Sequence, residues 1–220
     1  MSFSHQWDKA YQNNTHMSVW PWSDLVSYTM RYAKPDKKDF KVLELGCGAG
    51  ANIPFFLSLG VDYYAIEGSK SVIDMLKKKF SSIADKIVAG DFTKDIPFME
   101  QFDLIVDRSS LTNNSTNSIK QCLTIVNGLL NKDGKFIGID WFSILDSRLL
   151  DEKLEKIDSN SYKFAKGYFS NLGIVHFSDK EHLLDLFSKF KVEVMEHKVI
   201  KSEIPVGKTF ALWNFVAKKI

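Results

Sequence analysis

A glycine-rich turn after a short apolar segment is the feature that most constrains what this chain can fold into. The apolar residues of 42–45 predict a buried strand, and the turn that follows carries Gly46, Cys47, Gly48 and Gly50. Glycine lets the backbone turn sharply and approach a ligand without a Cβ in the way. A helix-like pattern comes next, and the N–H groups at the start of a helix point toward such a turn. Residues 41–52 therefore predict a strand–turn–helix unit that holds a nucleotide-like ligand.

An acidic residue beside the turn bears on the charge of that ligand. Glu44 lies two residues before Gly46, at the predicted end of the strand. A carboxylate there would repel a pyrophosphate and attract a cation, and S-adenosylmethionine carries a sulfonium and an ammonium but no phosphate. The spacing from Gly46 through Gly48 to Ala51 also fits the dinucleotide fingerprint, so the glycine pattern leaves NAD open as an alternative.

Two more acids follow predicted strands. Glu67 ends the apolar segment 62–66, roughly 20 residues beyond the turn, where a carboxylate accepts hydrogen bonds from both ribose hydroxyls. This feature is shared with NAD enzymes, so it indicates a nucleoside without choosing between the two cofactors. Asp91 ends the segment 86–89 and is followed by Phe92. Each acid alone is compatible with a solvated strand end or a turn, and the three together favour a binding site.

The motifs resemble those of class I S-adenosylmethionine-dependent methyltransferases. Glu44 and the three glycines match the acid-x-Gly-x-Gly-x-Gly motif of that family, and Asp91 with Phe92 is similar to its adenine site. The resemblance implies S-adenosylmethionine as cofactor, with Glu67, Gly68 and Ser69 around the ribose. It also implies a Rossmann-like α/β fold, a doubly wound seven-stranded sheet, mostly parallel, with an antiparallel C-terminal strand. The likeness covers residues 40–142 closely and 178–218 in outline.

Hydrophobic periodicity gives the same order of elements. Strands alternate with helices along most of the chain, which predicts a mostly parallel, doubly wound sheet. The last two strands are separated by eight or nine residues without helical period, so they should pair as a hairpin. The predicted strands are 41–45, 62–66, 86–89, 102–107, 135–141, 191–199 and 209–217, and the predicted helices are 23–33, 51–59, 70–80, 116–131 and 179–188.

The loop after the fourth strand should face the methyl acceptor, because ligands bind outside the carboxyl ends of such strands. Asp107 and Arg108 open this loop, and we take both as catalytic candidates. Arg108 suits a substrate carboxylate or phosphate. The alternative is an Asp107–Arg108 pair with a structural role only. The loop lacks the Asn/Asp-Pro-Pro-aromatic sequence with which relatives methylate nucleobase or glutamine amino groups, which argues against those acceptors.

Two aromatic-rich segments should cover the site. Residues 143–177 are longer than a simple return to the next helix and favour either a lid or pocket wall on the substrate side, or a helical insert that packs into the core. His176 is a candidate base there, with a structural histidine as the alternative, and Asp140 and Trp141 are comparable candidates. Within residues 1–38, the pattern Trp7-Asp8-x-x-Tyr11 and the stretch 18–24 resemble the arm that covers the cofactor in small-molecule methyltransferases among bacterial cell-surface saccharide and natural-product enzymes. The alternative is that these rings pack against the sheet.

Length and charge limit the remaining classes. The 220 residues suffice for one methyltransferase domain, and 29 basic against 27 acidic residues argue against a nucleic-acid partner. We see no signal peptide, no stretch long enough for a membrane span and no metal-type cysteine spacing, so we expect a cytoplasmic protein without metal. The expected activity is methyl transfer to an oxygen or nitrogen of a small molecule, with sugars among the acceptors. A catalytically silent S-adenosylmethionine-binding protein and an NAD(P)-dependent oxidoreductase are the alternatives.

Overall fold

The computed structural model describes residues 5–13, 17–37, 39–150, 154–170 and 172–220. Ten strands occur in these ranges: β1 (Lys41–Leu45), β2 (Asp62–Glu67), β3 (Ile87–Ala89), β4 (Phe102–Arg108), β5 (Leu130–Phe142), β6 (Leu154–Lys156), β7 (Ser161–Phe164), β8 (Ile174–His176), β9 (Phe190–Lys201) and β10 (Thr209–Lys219). The α-helices are α1 (His5–Gln12), α2 (Ser23–Tyr28), α3 (Ile53–Ser58), α4 (Lys70–Lys79), α5 (Thr116–Leu129) and α6 (Lys180–Leu186).

Seven strands form the central sheet in the order β3-β2-β1-β4-β5-β10-β9. The first five are mutually parallel, and β10 runs antiparallel to both of its neighbours. The predicted fold class and the C-terminal hairpin are thereby confirmed. Leu45 pairs with Asp107, and Arg108 pairs with Ile139, so the carboxyl ends of β1, β4 and β5 meet at one edge.

Helices cover both faces of this sheet, as its apolar strands require. On one face α5 buries the stripe Ile119, Cys122, Leu123 and Val126 against β4, β5 and β10. On the other face α3 and α4 pack over β2, and α2 packs over β5. Full burial of one such aliphatic side chain contributes about 1.5–3 kcal/mol to stability. The predicted helix 23–33 is present as α2 followed by a π-helical turn at Thr29–Ala33.

The segment 143–177 folds on itself and is not helical as a whole. A 3₁₀ turn at Ser147–Leu150 is followed by the antiparallel sheet β6-β7-β8. Its apolar side chains form a cluster separate from the main core, joined by Trp7 and Phe142; the cluster comprises Phe164, Phe169, Leu172, Val175 and Phe177. The alternative of a helical insert is therefore wrong. Residues 151–153 and 171 of this segment lie outside the described ranges.

The aromatic residues of the arm divide between two environments. Tyr11, Trp22 and Tyr32 pack against the core on the α3–α4 face, whereas Trp20 is 82% exposed. Helix α1 is tied to the start of α4, because the Asp8 carboxylate accepts hydrogen bonds from the hydroxyls of Ser69 and Ser71 at 2.5 and 2.7 Å. The remaining arm residues 1–4, 14–16 and 38 lie outside the described ranges. None of the helices in those ranges has the length and apolarity that a membrane crossing needs.

Candidate active site

A cavity of about 740 Å³ lies at the carboxyl edge of the sheet, over the ends of β1, β2, β4 and β5. Its walls come from the glycine turn, the N-terminal arm, the segment 143–177 and the β9–β10 hairpin. Small-molecule sites typically measure about 300–1,000 Å³, so the space suits a nucleoside-sized ligand and a small second molecule. Both aromatic-rich segments contribute to its walls, the arm through Trp7, Tyr11 and Trp22, and the insertion through Tyr168, Phe169 and Leu172.

The glycine turn approaches its neighbours too closely for side chains. Gly46 has φ +64°, and a Cβ there would lie 2.6 Å from the Ser110 hydroxyl oxygen and closer still to the Ser110 Cβ. Gly50 has φ +78°, and its Cβ would meet Leu76 of α4 at 2.6 Å. Gly46, Cys47 and Gly48 line the cavity, whereas Gly50 does not. Gly50 therefore serves helix packing, and the remaining residues of the turn, Ala49 and Ala51 included, form the surface for a ligand.

Glu44 lies buried beneath the turn and still lines the cavity. Its Oε1 accepts a hydrogen bond from Asn52 Nδ2 at 2.8 Å, and its Oε2 accepts one from the Tyr63 hydroxyl at 2.5 Å. Burial raises the pKa of this carboxyl to about 7, against the opposing effect of the two hydrogen bonds. A cation placed nearby would favour the ionised form, so the residue is suited to a positively charged ligand.

Glu67 holds the turn from the neighbouring strand. Its Oε2 accepts a hydrogen bond from the backbone N–H of Gly48 at 2.9 Å, and its Oε1 accepts one from that of Ser69 at 3.0 Å. Burial raises the pKa of Glu67, and these backbone donors act in the opposite direction. Glu67 lines the cavity, but Gly68 and Ser69 do not. Ser69 instead caps α4 by accepting a hydrogen bond from Val72 N.

We expect Glu67→Ala to weaken binding of S-adenosylmethionine about 10- to 100-fold. The substitution removes a charged acceptor for the ligand and the partner of the Gly48 N–H, and a hydrogen bond to a charged group contributes about 1.5–3 kcal/mol. Isothermal titration calorimetry measures the change. The control is Glu181→Ala, which alters an exposed residue in the first turn of α6. Equal affinities for the Glu67 variant and the native chain would remove Glu67 from the binding site.

Asp91 and Phe92 line the same cavity beyond β3. Asp91 Oδ1 accepts hydrogen bonds from the backbone N–H and the hydroxyl of Thr93 at 3.1 and 2.6 Å, and Lys94 lies 3.3 Å from Oδ2. Phe92 packs toward the glycine turn, within van der Waals reach of the position that a Cβ on Gly46 would take. Glu44, Glu67 and Asp91 therefore face one cleft, each from the end of a different strand.

The thiol of Cys47 is not suited to act as a nucleophile in this cleft. Its side chain is buried, and burial raises the pKa of the thiol well above its usual value. The nearby carboxylates Glu67 and Glu44 shift the pKa in the same direction. A thiolate nucleophile is therefore disfavoured at this position.

Asp107 is not a catalytic residue, contrary to the sequence expectation. The side chain is fully buried and does not line the cavity. Its Oδ1 accepts hydrogen bonds from the backbone N–H groups of Ser110 and Leu111 and from the Ser110 hydroxyl. Its Oδ2 accepts one from Trp141 Nε1 at 2.7 Å. Burial raises the pKa of Asp107 to about 6, and its role is to hold the loop after β4 against the glycine turn.

Arg108 does line the cavity, but its ion-pair partner differs from the expected Asp107. Its Nε and Nη2 lie 3.0 and 2.9 Å from Oδ2 of Asp140, which lies near the end of the neighbouring strand β5. The guanidinium also lies 3.6 Å from the ring centre of Trp22 in the arm. Such stacking fixes the plane of the guanidinium. Arg108 thereby joins the arm to the ends of β4 and β5 at one side of the cleft.

His176 is a structural histidine and does not reach the cavity. It is fully buried, with Nδ1 2.9 Å from the Ser161 hydroxyl and Nε2 3.1 Å from Nε2 of His182. Burial, with a smaller effect of His182, lowers the pKa of His176 to about 3. A general base near neutral pH needs a pKa closer to the working pH, so both position and chemistry contradict the expectation.

The histidine pair makes stability fall in acid. The pKa of His176 is lower in the folded chain than in the unfolded one, so its contribution is present above about pH 6.5 and is lost as pH falls toward 3. Between pH 6.5 and 5 we expect the free energy of unfolding to depend less steeply on pH in His176→Gln than in the native chain, by about 1 kcal/mol per pH unit. Urea unfolding at several pH values measures it, and an unchanged slope would contradict the structural role of this histidine.

Several residues of the site were not found from the sequence. Asn52 joins Glu44 to the arm, since its Oδ1 accepts a hydrogen bond from Trp22 N at 3.1 Å. Arg148 lines the cavity and makes a two-point ion pair with buried Asp146, at 2.7 and 2.6 Å. The rings of Phe142, Tyr168, Phe169 and Phe210 surround its guanidinium. An Asp-x-Arg pattern inside an aromatic segment was the available signal.

The residues present fit S-adenosylmethionine. The turn leaves a cradle that a Cβ would fill. The three carboxylates supply hydrogen-bond acceptors and negative charge. Among the described residues of the glycine turn there is no basic side chain that could hold a pyrophosphate. Glu67 would accept from the ribose, Asp91 with Phe92 would hold the adenine, and Glu44 would favour the cationic end. The acceptor would occupy the remaining space toward Arg108 and Arg148.

Part of the chain is similar in sequence to known methyltransferases. Residues 42–134 match the family model described as a methyltransferase domain. An uncharacterized methyltransferase of Alkaliphilus oremlandii (strain OhILAs) is 29% identical over 141 residues, covering 61% of this chain and 64% of that protein. The cypemycin N-terminal methyltransferase of a Streptomyces species is 32% identical over 85 residues, covering 39% of this chain and 34% of that protein. The chain thus spans less than two thirds of the length of either relative.

Among solved structures, the Burkholderia thailandensis 1,6-didemethyltoxoflavin-N1-methyltransferase, with its bound substrate and S-adenosylhomocysteine, superposes with a TM-score of 0.67. It is 15% identical, and the match covers 98% of this chain and 84% of that one. At this identity the likeness shows the fold alone. The matched family model shows a methyltransferase domain over residues 42–134, and the strand order and the superposition show the Rossmann-like methyltransferase fold.

Proposed function

We propose that this protein transfers a methyl group from S-adenosylmethionine to an oxygen or nitrogen atom of a small molecule, with sugars and related metabolites as the first acceptors to test. One observation carries the proposal: Glu44, Glu67 and Asp91 line a single cavity beneath the glycine turn. The cofactor, when bound, supplies a methyl group already activated on a sulfonium. The chain's residues then need chiefly to align acceptor and methyl, and positioning alone can supply about 7–11 kcal/mol.

The shape of the cavity supports a small acceptor. Arm and insertion wall it from two sides, and Trp22, Phe142 and Phe169 provide apolar surface around the arginines. The near balance of 29 basic and 27 acidic residues supports the same choice over a nucleic acid. By their names, one relative is a cypemycin N-terminal methyltransferase and the solved structure is a 1,6-didemethyltoxoflavin-N1-methyltransferase. Amine acceptors therefore belong in the test beside hydroxyl acceptors.

Product formation tests this proposal. Purified protein is incubated with S-adenosylmethionine and pooled sugars, amino sugars, amino acids and phenols, and S-adenosylhomocysteine is quantified together with the methylated product. We expect product with at least one pool and none without acceptor. Cofactor binding without turnover in any pool would favour a catalytically silent binding protein. A change of nicotinamide absorbance with an alcohol pool would instead revive the oxidoreductase alternative.

A further inference from the structure

Asp140 occupies a strained position on the acceptor side of the cavity. It lies near the end of β5, next to the end of β4, and has φ +57°, a left-handed conformation that non-glycine residues rarely adopt. Its backbone N–H donates to Asn214 Oδ1 at 2.8 Å, and its carbonyl accepts from the Ser109 hydroxyl at 2.5 Å. Strain of this kind persists only where the surrounding structure imposes it, and it is concentrated at functional sites.

The carboxylate of Asp140 is held by one oxygen only. Both contacts of Arg108 go to Oδ2. Oδ1 accepts no hydrogen bond from any residue that the structure describes, and Lys198 Nζ approaches it only to 4.0 Å. The side chain lines the cavity and is 13% exposed. A carboxylate oxygen is thus oriented by Arg108 and left available to a donor in the cavity.

The other acids of the cavity are occupied. Glu44 accepts hydrogen bonds on both oxygens from Asn52 and Tyr63, and Glu67 does so from two backbone N–H groups. Asp91 is engaged by Thr93 and Lys94. Among the described carboxylates that line the cavity, Asp140 is therefore the one with an oxygen left for an acceptor molecule.

We infer that Asp140 is the catalytic carboxylate of the proposed methyl transfer, and that the acceptor presents to it a hydroxyl or an ammonium group. This inference rests on the proposed function. The proton of that group moves to Oδ1, and the lone pair it leaves on oxygen or nitrogen forms the new bond to the methyl carbon. The carbon–sulfur bond breaks with its electron pair retained by sulfur, which leaves as a neutral thioether.

The test compares Asp140→Asn with Asp133→Asn. Asp133 also has a left-handed backbone, with φ +65°, but it is exposed near the start of β5 and does not line the cavity, so it controls for the same change in the same conformation. The first probes are S-adenosylhomocysteine and sinefungin, an analogue that carries an amine-bearing carbon in place of the methylsulfonium. We expect Asp140→Asn to lower sinefungin affinity about tenfold, with S-adenosylhomocysteine affinity changed less than about twofold. Asp133→Asn should change neither.

Turnover gives a second readout with the acceptor found in the product assay. Asp140→Asn should reduce kcat about 10²- to 10⁴-fold with a small effect on KM. In Asp140→Gly, which glycine's freedom at positive φ permits, added formate should restore part of the rate. An unchanged ratio of sinefungin to S-adenosylhomocysteine affinity, or turnover comparable to that of the native chain, would overturn the role of Asp140. Failure of the native chain to bind either probe would overturn the proposed function as well.

Discussion

Replacing Gly46 with alanine is expected to lower the free energy of unfolding by about 2–4 kcal/mol and to abolish binding of S-adenosylmethionine. The new Cβ would lie 2.6 Å from the Ser110 hydroxyl oxygen, on a backbone with φ +64°. Ser110 cannot move away freely, because its hydroxyl contacts both the Leu45 carbonyl and the Asp107 carboxylate. Relief of the clash must therefore displace the turn itself, which forms the ligand surface.

Gly60→Ala is the matched control for this prediction. Gly60 has φ +69°, but nothing lies within 4 Å of the position that its added Cβ would occupy. The control should therefore carry only the backbone cost of about 1–2 kcal/mol and leave ligand binding intact. Chemical denaturation and calorimetry on the two variants separate backbone strain from the clash. Equal losses of stability with retained binding in both would show that the Gly46–Ser110 contact is unimportant.

Asp107→Ala is expected to lower the free energy of unfolding by about 2–6 kcal/mol. The change leaves Trp141 Nε1–H and the backbone N–H of Leu111 without acceptors in a dry interior, and each such loss costs about 1–3 kcal/mol. The loop after β4 also loses its anchor against the glycine turn. Urea unfolding measures the effect at mildly alkaline pH, above the pKa of about 6 of the buried carboxyl.

Asp185→Ala provides the comparison, since Asp185 is exposed and pairs with Lys120 on the surface. The free energy of unfolding of the Asp185→Ala variant should equal that of the native chain. A direct catalytic role of Asp107 would instead give an inactive protein of native stability. That outcome would contradict the structural role of Asp107.

The convergence of the three acids could be predicted because it depends on strand ends alone. Parallel strands place their carboxyl ends at one edge, so locating the ends of β1, β2 and β3 suffices to bring Glu44, Glu67 and Asp91 together. Local patterns of apolar residues and glycine locate those ends. The periodicity of apolar residues likewise predicts the helices on both faces and the final hairpin.

The acceptor side depends on contacts between distant segments, which local patterns do not contain. Asp107 and Arg108 are adjacent polar residues, and successive side chains at a strand end point in opposite directions. Which one faces the cavity follows from Trp141 and Asp140, which are more than 30 residues away in the sequence. The structural role of His176 could be assigned only once the fold of segment 143–177 was known. The strands of that segment are too short for the alternation of apolar and polar residues to be recognised in the sequence.

The carboxylates at the edge of the sheet should select a cationic adenosyl donor over a pyrophosphate. Isothermal titration calorimetry of the native chain with S-adenosylmethionine and with NAD tests this selection most directly. We predict saturable one-to-one binding of S-adenosylmethionine and no detectable heat with NAD. Binding of NAD in the absence of S-adenosylmethionine binding would contradict the account.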